Sequence, residues 1–245
     1  MQSTNPAEKK AKSSITTEKT EVTKGNTNRT TSPKANPNSR STCNTITLKE
    51  RTGDIFTAAS NTLILHACNC QGSWGGGIAL AFKKHYPEAF KVYAKHCRNH
   101  GGDSRALLGT ALLIPPAELS GTVSTNGGVG APRIGGKAAS TDSKKGEAKH
   151  FIGCLFTSNF YGKRRDSLSK ILSATGSAME DLLLQVTDWN ASHVDGEKVG
   201  EVRMCKINSG LFAVPWEETV EVIEGMEVDG GEGAVREIEV VERQE

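Results

Sequence analysis

A chain of 245 residues with 36% hydrophobic and only 5% aromatic residues suits one medium domain with unfolded parts, not a uniformly packed chain. Its net charge of +2 hides an asymmetry of +5 over residues 1–45, +6 over 46–216 and −9 over 217–245. The moderately basic middle suits a small anionic ligand and lacks the footprint of a dedicated nucleic-acid binder, and with no 18-residue apolar window or apolar signal core, neither a membrane span nor a secretory signal is expected.

Residues 1–45 are rich in Ser, Thr, Asn and Lys and carry no hydrophobic period; the first aromatic residue is Phe56. Such a segment cannot bury enough apolar area to offset its conformational entropy, so it is expected to be a disordered tail, with the folded domain at 46–245. A short strand begins at Ile46–Leu48, and the apolar run Thr62–Ala67 has strand length. From Ile78 to His100 the apolar spacing is helical, and Pro87 is expected to break the segment in two. Leu107–Ile114 predicts a strand ended by Pro115 and Pro116. The Gly-, Ser- and Thr-rich stretch 117–149 is expected to be a low-complexity insertion within the domain. Phe151–Thr157 then predicts a strand, Ser167–Val186 an amphipathic helix, Val202–Ile207 a strand, Trp216–Glu224 a short helix and Val235–Val241 a closing strand. Strands alternating with helices indicate an α/β sandwich around a central sheet.

The six cysteines follow no regular framework, so reduced thiols in a cytoplasmic or nuclear protein are expected. No CxxC accompanies Cys68 and Cys70, so neither a metal site nor a cofactor is expected.

Two segments do not read as ordinary core. The first runs His66-Ala-Cys-Asn-Cys-Gln-Gly-Ser-Trp-Gly-Gly-Gly-Ile-Ala79, a strand opening into a glycine loop and then a helix. Glycines let backbone approach a ligand closely, and the helix N-terminus offers unpaired N–H groups to an anion. A Walker loop would end in Gly-Lys-Ser/Thr where this one ends Gly77-Ile78-Ala79, and the dinucleotide spacing would need glycine where Leu80 stands. Cys97 lacks an arginine six residues on, where Asp103 stands, so it reads as a core residue and not a thiol-phosphatase nucleophile. The second segment is Ile207-Asn-Ser-Gly-Leu-Phe-Ala213, another strand end opening into small residues before a helix.

With Gly53-Asp54-Ile55, these two segments resemble the macro domain family, and within it the fungal ADP-ribose 1″-phosphate phosphatases. The resemblance covers about residues 46–243 apart from the insertion. It implies a three-layer α/β/α fold with a central mixed sheet, and a phosphatase that takes ADP-ribose 1″-phosphate, a by-product of tRNA splicing, to ADP-ribose and phosphate. It places Gly53, Asp54 and Ile55 at the adenine, with the Asp54 carboxylate accepting from the amino group. Ala67, Cys68 and Asn69 would face the distal ribose, Trp74, Gly75, Gly76, Gly77, Ile78 and Ala79 would wrap that ribose and its phosphate, and Ile207, Asn208, Ser209, Gly210, Leu211, Phe212 and Ala213 would follow the diphosphate. Ala213 departs from the pattern, which has glycine there. His66, the nearest group able to exchange a proton near neutral pH, and Asn69 are the catalytic candidates; Cys68 and Cys70 read as packing. Two alternatives stay open: an ADP-ribosyl-protein ester hydrolase, for which Lys83 and Lys84 are available but Phe212 stands where an Asp is needed, and a non-catalytic reader of ADP-ribose or of ADP-ribosylated proteins.

Overall fold

Two buried runs, β2 (Thr62–Asn69), with Ala67 alone half-buried, and β4 (Phe151–Ser158), form the centre of the sheet in the computed structural model. Buried on both faces, they read as continuous apolar segments without alternation. Around them lie β1 (Thr47–Thr52), β3 (Ala111–Ile114), β5 (Glu201–Met204) and β6 (Glu237–Glu242), in the spatial order β1-β6-β5-β2-β4-β3. All neighbours are parallel except β3, which runs antiparallel to β4 at one edge, so the sheet is mixed as expected. The structure describes residues 45–100, 104–116, 149–228 and 234–243. The tail expected over 1–45, apart from Thr45, and the insertion expected over 117–149, apart from Lys149, lie outside the described residues.

Helices cover both faces. Helix α1 (Gly77–His85) and helix α2 (Pro87–Asn99) pack on one, where Ile64, Cys68, Phe82, Tyr93, Cys154 and Phe156 form a core. The break between them falls where expected: Pro87 takes the first position of α2, where its missing N–H costs nothing. Helix α3 (Ser104–Leu107) is a single turn. Helix α4 (Leu168–Ser192) and helix α5 (Trp216–Glu224) cover the other face over Leu63, Leu65, Leu155, Met179, Leu182 and Ile223.

Three elements differ from their sequence expectations by three or more residues at one end. The segment 107–114 is a strand only from Ala111, because Gly109 turns the chain at φ 83° and donates its N–H to the Phe156 carbonyl. Helix α4 continues six residues past Val186, where Trp189 donates to the Glu197 carbonyl and Asn190 pairs with the Val199 backbone. Strand β5 stops at Met204, since the residues after it turn into a loop.

Candidate functional site

The loops that follow β2 and β5 leave the sheet at its carboxyl end, where open α/β sheets bind ligands. Between them lies a cleft of about 620 Å³. A larger hollow of about 870 Å³ sits by the starts of β5 and β6, but five of its charges pair with one another (Lys49 with Glu237, Arg203 with Glu201 and Glu239) and neither glycine loop reaches it.

The first wall is built from β2. At Cys68–Asn69 the pairing with β4 slips by one residue, which turns the chain out of the sheet. Asn69 closes the turn: its Nδ2 donates to the Ser73 carbonyl at 2.6 Å and its Oδ1 accepts from the Gln71 N–H at 2.9 Å. From below, the Tyr93 hydroxyl donates to the Asn69 carbonyl at 2.5 Å. Trp74, only 1% exposed, stacks on Tyr93 with centroids 5.0 Å apart and anchors the loop in the core. Gly75, Gly76 and Gly77 then lead into α1. Gly76 caps the helix without a side-chain bond, and the first helical N–H to find a partner is that of Leu80, on the Gly76 carbonyl. The N–H groups of Gly77, Ile78 and Ala79 precede it in the first turn, where α-helical bonding supplies none. Positive helix-end charge and unpaired donors therefore meet the cleft in one place.

The second wall is the Ile207–Ala213 loop. Asn208 takes a left-handed backbone at φ 64° and is 4% exposed. Its Oδ1 accepts from Thr157 of β4 and its Nδ2 donates to Thr175 of α4, both at 2.9 Å, so the loop is tied to two elements at once. Val214 N–H closes back on the Asn208 carbonyl. Leu211 is 55% exposed and leans across the cleft, so that a Cβ on Gly76 would stand 3.1 Å from its Cδ1. Phe212 also reaches the cleft wall but is only 8% exposed, packed against Ile171 and Val214.

Of the expected site residues, Ala67, Cys68, Asn69, Trp74, Gly75, Gly76, Gly77, Ile78, Ala79, Ile207, Asn208, Gly210, Leu211 and Phe212 line this cleft. Ser209 and Ala213 belong to the second loop without lining it. Gly53, Asp54 and Ile55 also stand outside the lining. Gly53 donates to the carbonyl of Glu242, a lining residue, at 2.8 Å, so the Gly53–Ile55 turn is fastened to one end of the cleft. There Asp54 is exposed and caps the turn by accepting from the Phe56 N–H at 3.0 Å.

His66 is not brought into the cleft. It is 0% exposed, lies against the Phe82 ring at 4.0 Å and meets Trp74 edge-on at 4.8 Å, one residue further down β2 than the lining begins. Its ring nitrogens lie 3.6 and 3.8 Å from the Cys68 sulfur. The Cys68 thiol is pushed well up by burial, and burial takes Cys70 to about 12. Both stay protonated near neutral pH, so neither is an activated nucleophile.

Lining residues not expected from sequence are Ser73, Tyr161, Cys205, Lys206, Val241, Glu242 and Arg243. Ser73, Cys205 and Lys206 adjoin the two segments already singled out. The β6 end and Tyr161 come from distant chain and carry no local signal. The loop bearing Tyr161 is held by Asp166, which accepts from Asn159 N–H and Ser158 Oγ, and Asn159 in turn accepts from Gln71 of the first loop. Burial alone would raise the Asp166 carboxyl; bonds from Lys170, Asn159 and Ser158 outweigh it and lower the pKa. Lys206 donates to Glu242 at 3.1 Å, and that bond holds its ammonium above the usual lysine range.

A family model described as Macro domain matches residues 65–126. A protein from Chaetomium globosum named ADP-ribose 1″-phosphate phosphatase is 46% identical over 185 residues, spanning 76% of this chain and 86% of its own. A protein of the same name from Debaryomyces hansenii is 37% identical over 179 residues, spanning 70% and 89%. Among solved structures, a mutant of the Oceanobacillus iheyensis macrodomain aligns with a TM-score of 0.52 at 17% identity, covering 83% of this chain and 87% of that one, a likeness of fold alone.

Proposed function

The chain belongs to the macro domain family, and on that premise we propose that it hydrolyses the 1″-phosphate of ADP-ribose 1″-phosphate, releasing ADP-ribose and inorganic phosphate. The observation that carries the reading is the meeting of the Gly75–Gly77 loop and the open N-terminus of α1 with the Ile207–Ala213 loop across a single cleft. In this reading the adenine lies by the Gly53–Ile55 turn and the end of β6, the diphosphate follows the second loop, and the distal ribose and its phosphate rest against Gly75–Ala79. The Asp54 carboxylate, exposed and holding one backbone N–H, has lone pairs left for the adenine amino group.

Hydrolysis of the monoester needs donors on the phosphoryl oxygens and an oriented water. Backbone N–H groups of the glycine loop and the first turn of α1 supply fixed donors. A water attacks phosphorus, the bond from phosphorus to the 1″-oxygen breaks, and that oxygen takes up a proton. Asn69 keeps the loop in register for this, since both ends of its amide are committed to loop backbone.

The ester-hydrolase alternative finds less support. Phe212 offers no carboxylate and is packed in an apolar cluster, while Lys83 places its ammonium 4.0 Å from the Phe90 ring centroid. The deciding experiment incubates purified protein and chelator with ADP-ribose 1″-phosphate and, separately, with an ADP-ribosyl carboxylate ester, alongside a binding titration with ADP-ribose. Phosphate release with little ester cleavage is expected. Tight binding without phosphate release would make the protein a reader, and preferential ester cleavage would make it the other hydrolase.

A further inference from the structure

The floor beneath the cleft holds a cluster of metal-ligating side chains that the phosphatase reading does not use. His66 and Cys68 are two residues apart on β2 and so share a face of the sheet. The strand register sets Cys154 of β4 directly beside His66. All three are buried, and their ligand atoms lie within 4.8 Å of one another, the one such group among the described residues. Cys68 Sγ stands 3.6 Å from His66 Nε2 and 3.8 Å from Nδ1, so the imidazole must turn about its Cβ–Cγ bond to aim one nitrogen at an ion shared with the sulfur.

A disulfide does not fit the same residues. Cys68 and Cys154 differ by two residues along the strand and one strand across, which puts their Cα atoms about 8 Å apart, beyond disulfide reach. An interposed cation closes that gap. Cys68 also lines the cleft and so offers an entry route, while the Phe82 and Trp74 rings close the imidazole side.

We propose that His66, Cys68 and Cys154 bind a single thiophilic d10 cation, Zn(II) or Cu(I), beneath the cleft floor. Binding exchanges two thiol protons for two metal–sulfur bonds and leaves the imidazole neutral. With Zn(II) the buried group is then uncharged overall, which suits its dry surroundings; Cu(I) leaves one negative charge but accepts three ligands. Walled by aromatic rings, the ion pins the end of β2 to β4 and takes no part in the hydrolysis. The imidazole nitrogen that holds it is not free to exchange protons.

The test titrates reduced protein anaerobically with Zn(II) and with Cu(I), each in competition with a chromophoric chelator, and reads the ligand set by X-ray absorption at the metal edge. One cation per chain with two sulfurs and one nitrogen is expected, together with a rise in the thermal unfolding midpoint; the cation bound more tightly decides between the two. Cys154→Ser and Cys154→Ala, which lie outside the cleft lining, should each lower affinity about a hundredfold or more, since even outer-shell changes cost 10- to 100-fold. Cys97→Ala, a buried thiol outside the cluster, should bind as the parent does. Failure of both cations to bind, a different sulfur count, or unchanged affinity in folded Cys154 variants overturns the site. Should both variants unfold, the absorption spectrum of the parent decides alone.

Discussion

Ala213 has a backbone φ of 52°, a left-handed conformation that costs a residue with a Cβ about 1–2 kcal/mol. Ala213→Gly removes that strain but loosens the unfolded chain by about 0.4–1 kcal/mol. The net expectation is a gain of up to about 1 kcal/mol, read as a midpoint rise of about 2–4 °C on thermal unfolding, with ADP-ribose affinity unchanged. At His66 the geometry separates packing from proton chemistry. Its ring fills space between Phe82 and Trp74, and the polar neighbour of its nitrogens is the Cys68 sulfur, with no carboxylate beside it among the described residues. His66→Ala should therefore lower stability by about 2–4 kcal/mol, as other large-to-small core changes do. His66→Phe, which retains a ring, should keep phosphate release within about tenfold of the parent. A loss of a hundredfold or more at unchanged affinity would return His66 to the role of general acid or base.

At the scale of elements, the glycine loop and α1 act as one unit whose glycines do different work. Gly76 has an extended backbone at φ −162°, open to any residue, and its constraint is the nearness of Leu211. Gly77 has φ 55° and is constrained by its own backbone. Gly76→Val is expected to fold with a near-parental midpoint, push Leu211 into the cleft and weaken ADP-ribose binding at least tenfold by calorimetric titration. Gly77→Val should lose binding and several degrees of midpoint together. Normal binding by a folded Gly76→Val protein would unseat the cleft assignment. The loop was legible in sequence because three consecutive glycines beside Trp74 exceed the needs of a turn. Which glycine needs positive φ was not, since that depends on how α1 meets Leu211 of a distant loop.

Over the whole molecule, helix side chains finish both edges of the sheet. Asp181 and Gln185 of α4 bond the outward N–H groups of Ala111 and Leu113 on β3, and Glu224 of α5 accepts from Leu48 on β1. Such capped edges resist pairing with other chains. The cleft joins loops from β2 and β5 with the end of β6, so its ligand should stabilise the fold globally. ADP-ribose at a hundredfold excess over its Kd should add about 2.7 kcal/mol by mass action, seen as a concentration-dependent shift of the thermal midpoint. Phosphate release should be unchanged by chelator, because the anion is held by backbone N–H groups. A midpoint indifferent to ADP-ribose, or a rate abolished by chelator and restored by a divalent cation, would contradict this account.

The sequence by itself determined the α/β class, the break at Pro87, the span Trp216–Glu224 and both cleft loops, because periodicity, proline geometry and runs of glycine act within a few neighbouring residues. Tertiary structure alone decided that Gly109 shortens β3, that Tyr161 and the β6 end complete the cleft, and that His66 belongs to its floor. It also set Cys154 beside His66 and Cys68. Cys68 and Cys154 are 86 positions apart in the chain, and only the pairing of β2 with β4 brings them together. Spacing rules for metal ligands read one segment at a time, so a ligand set shared between paired strands leaves no local pattern for them to find.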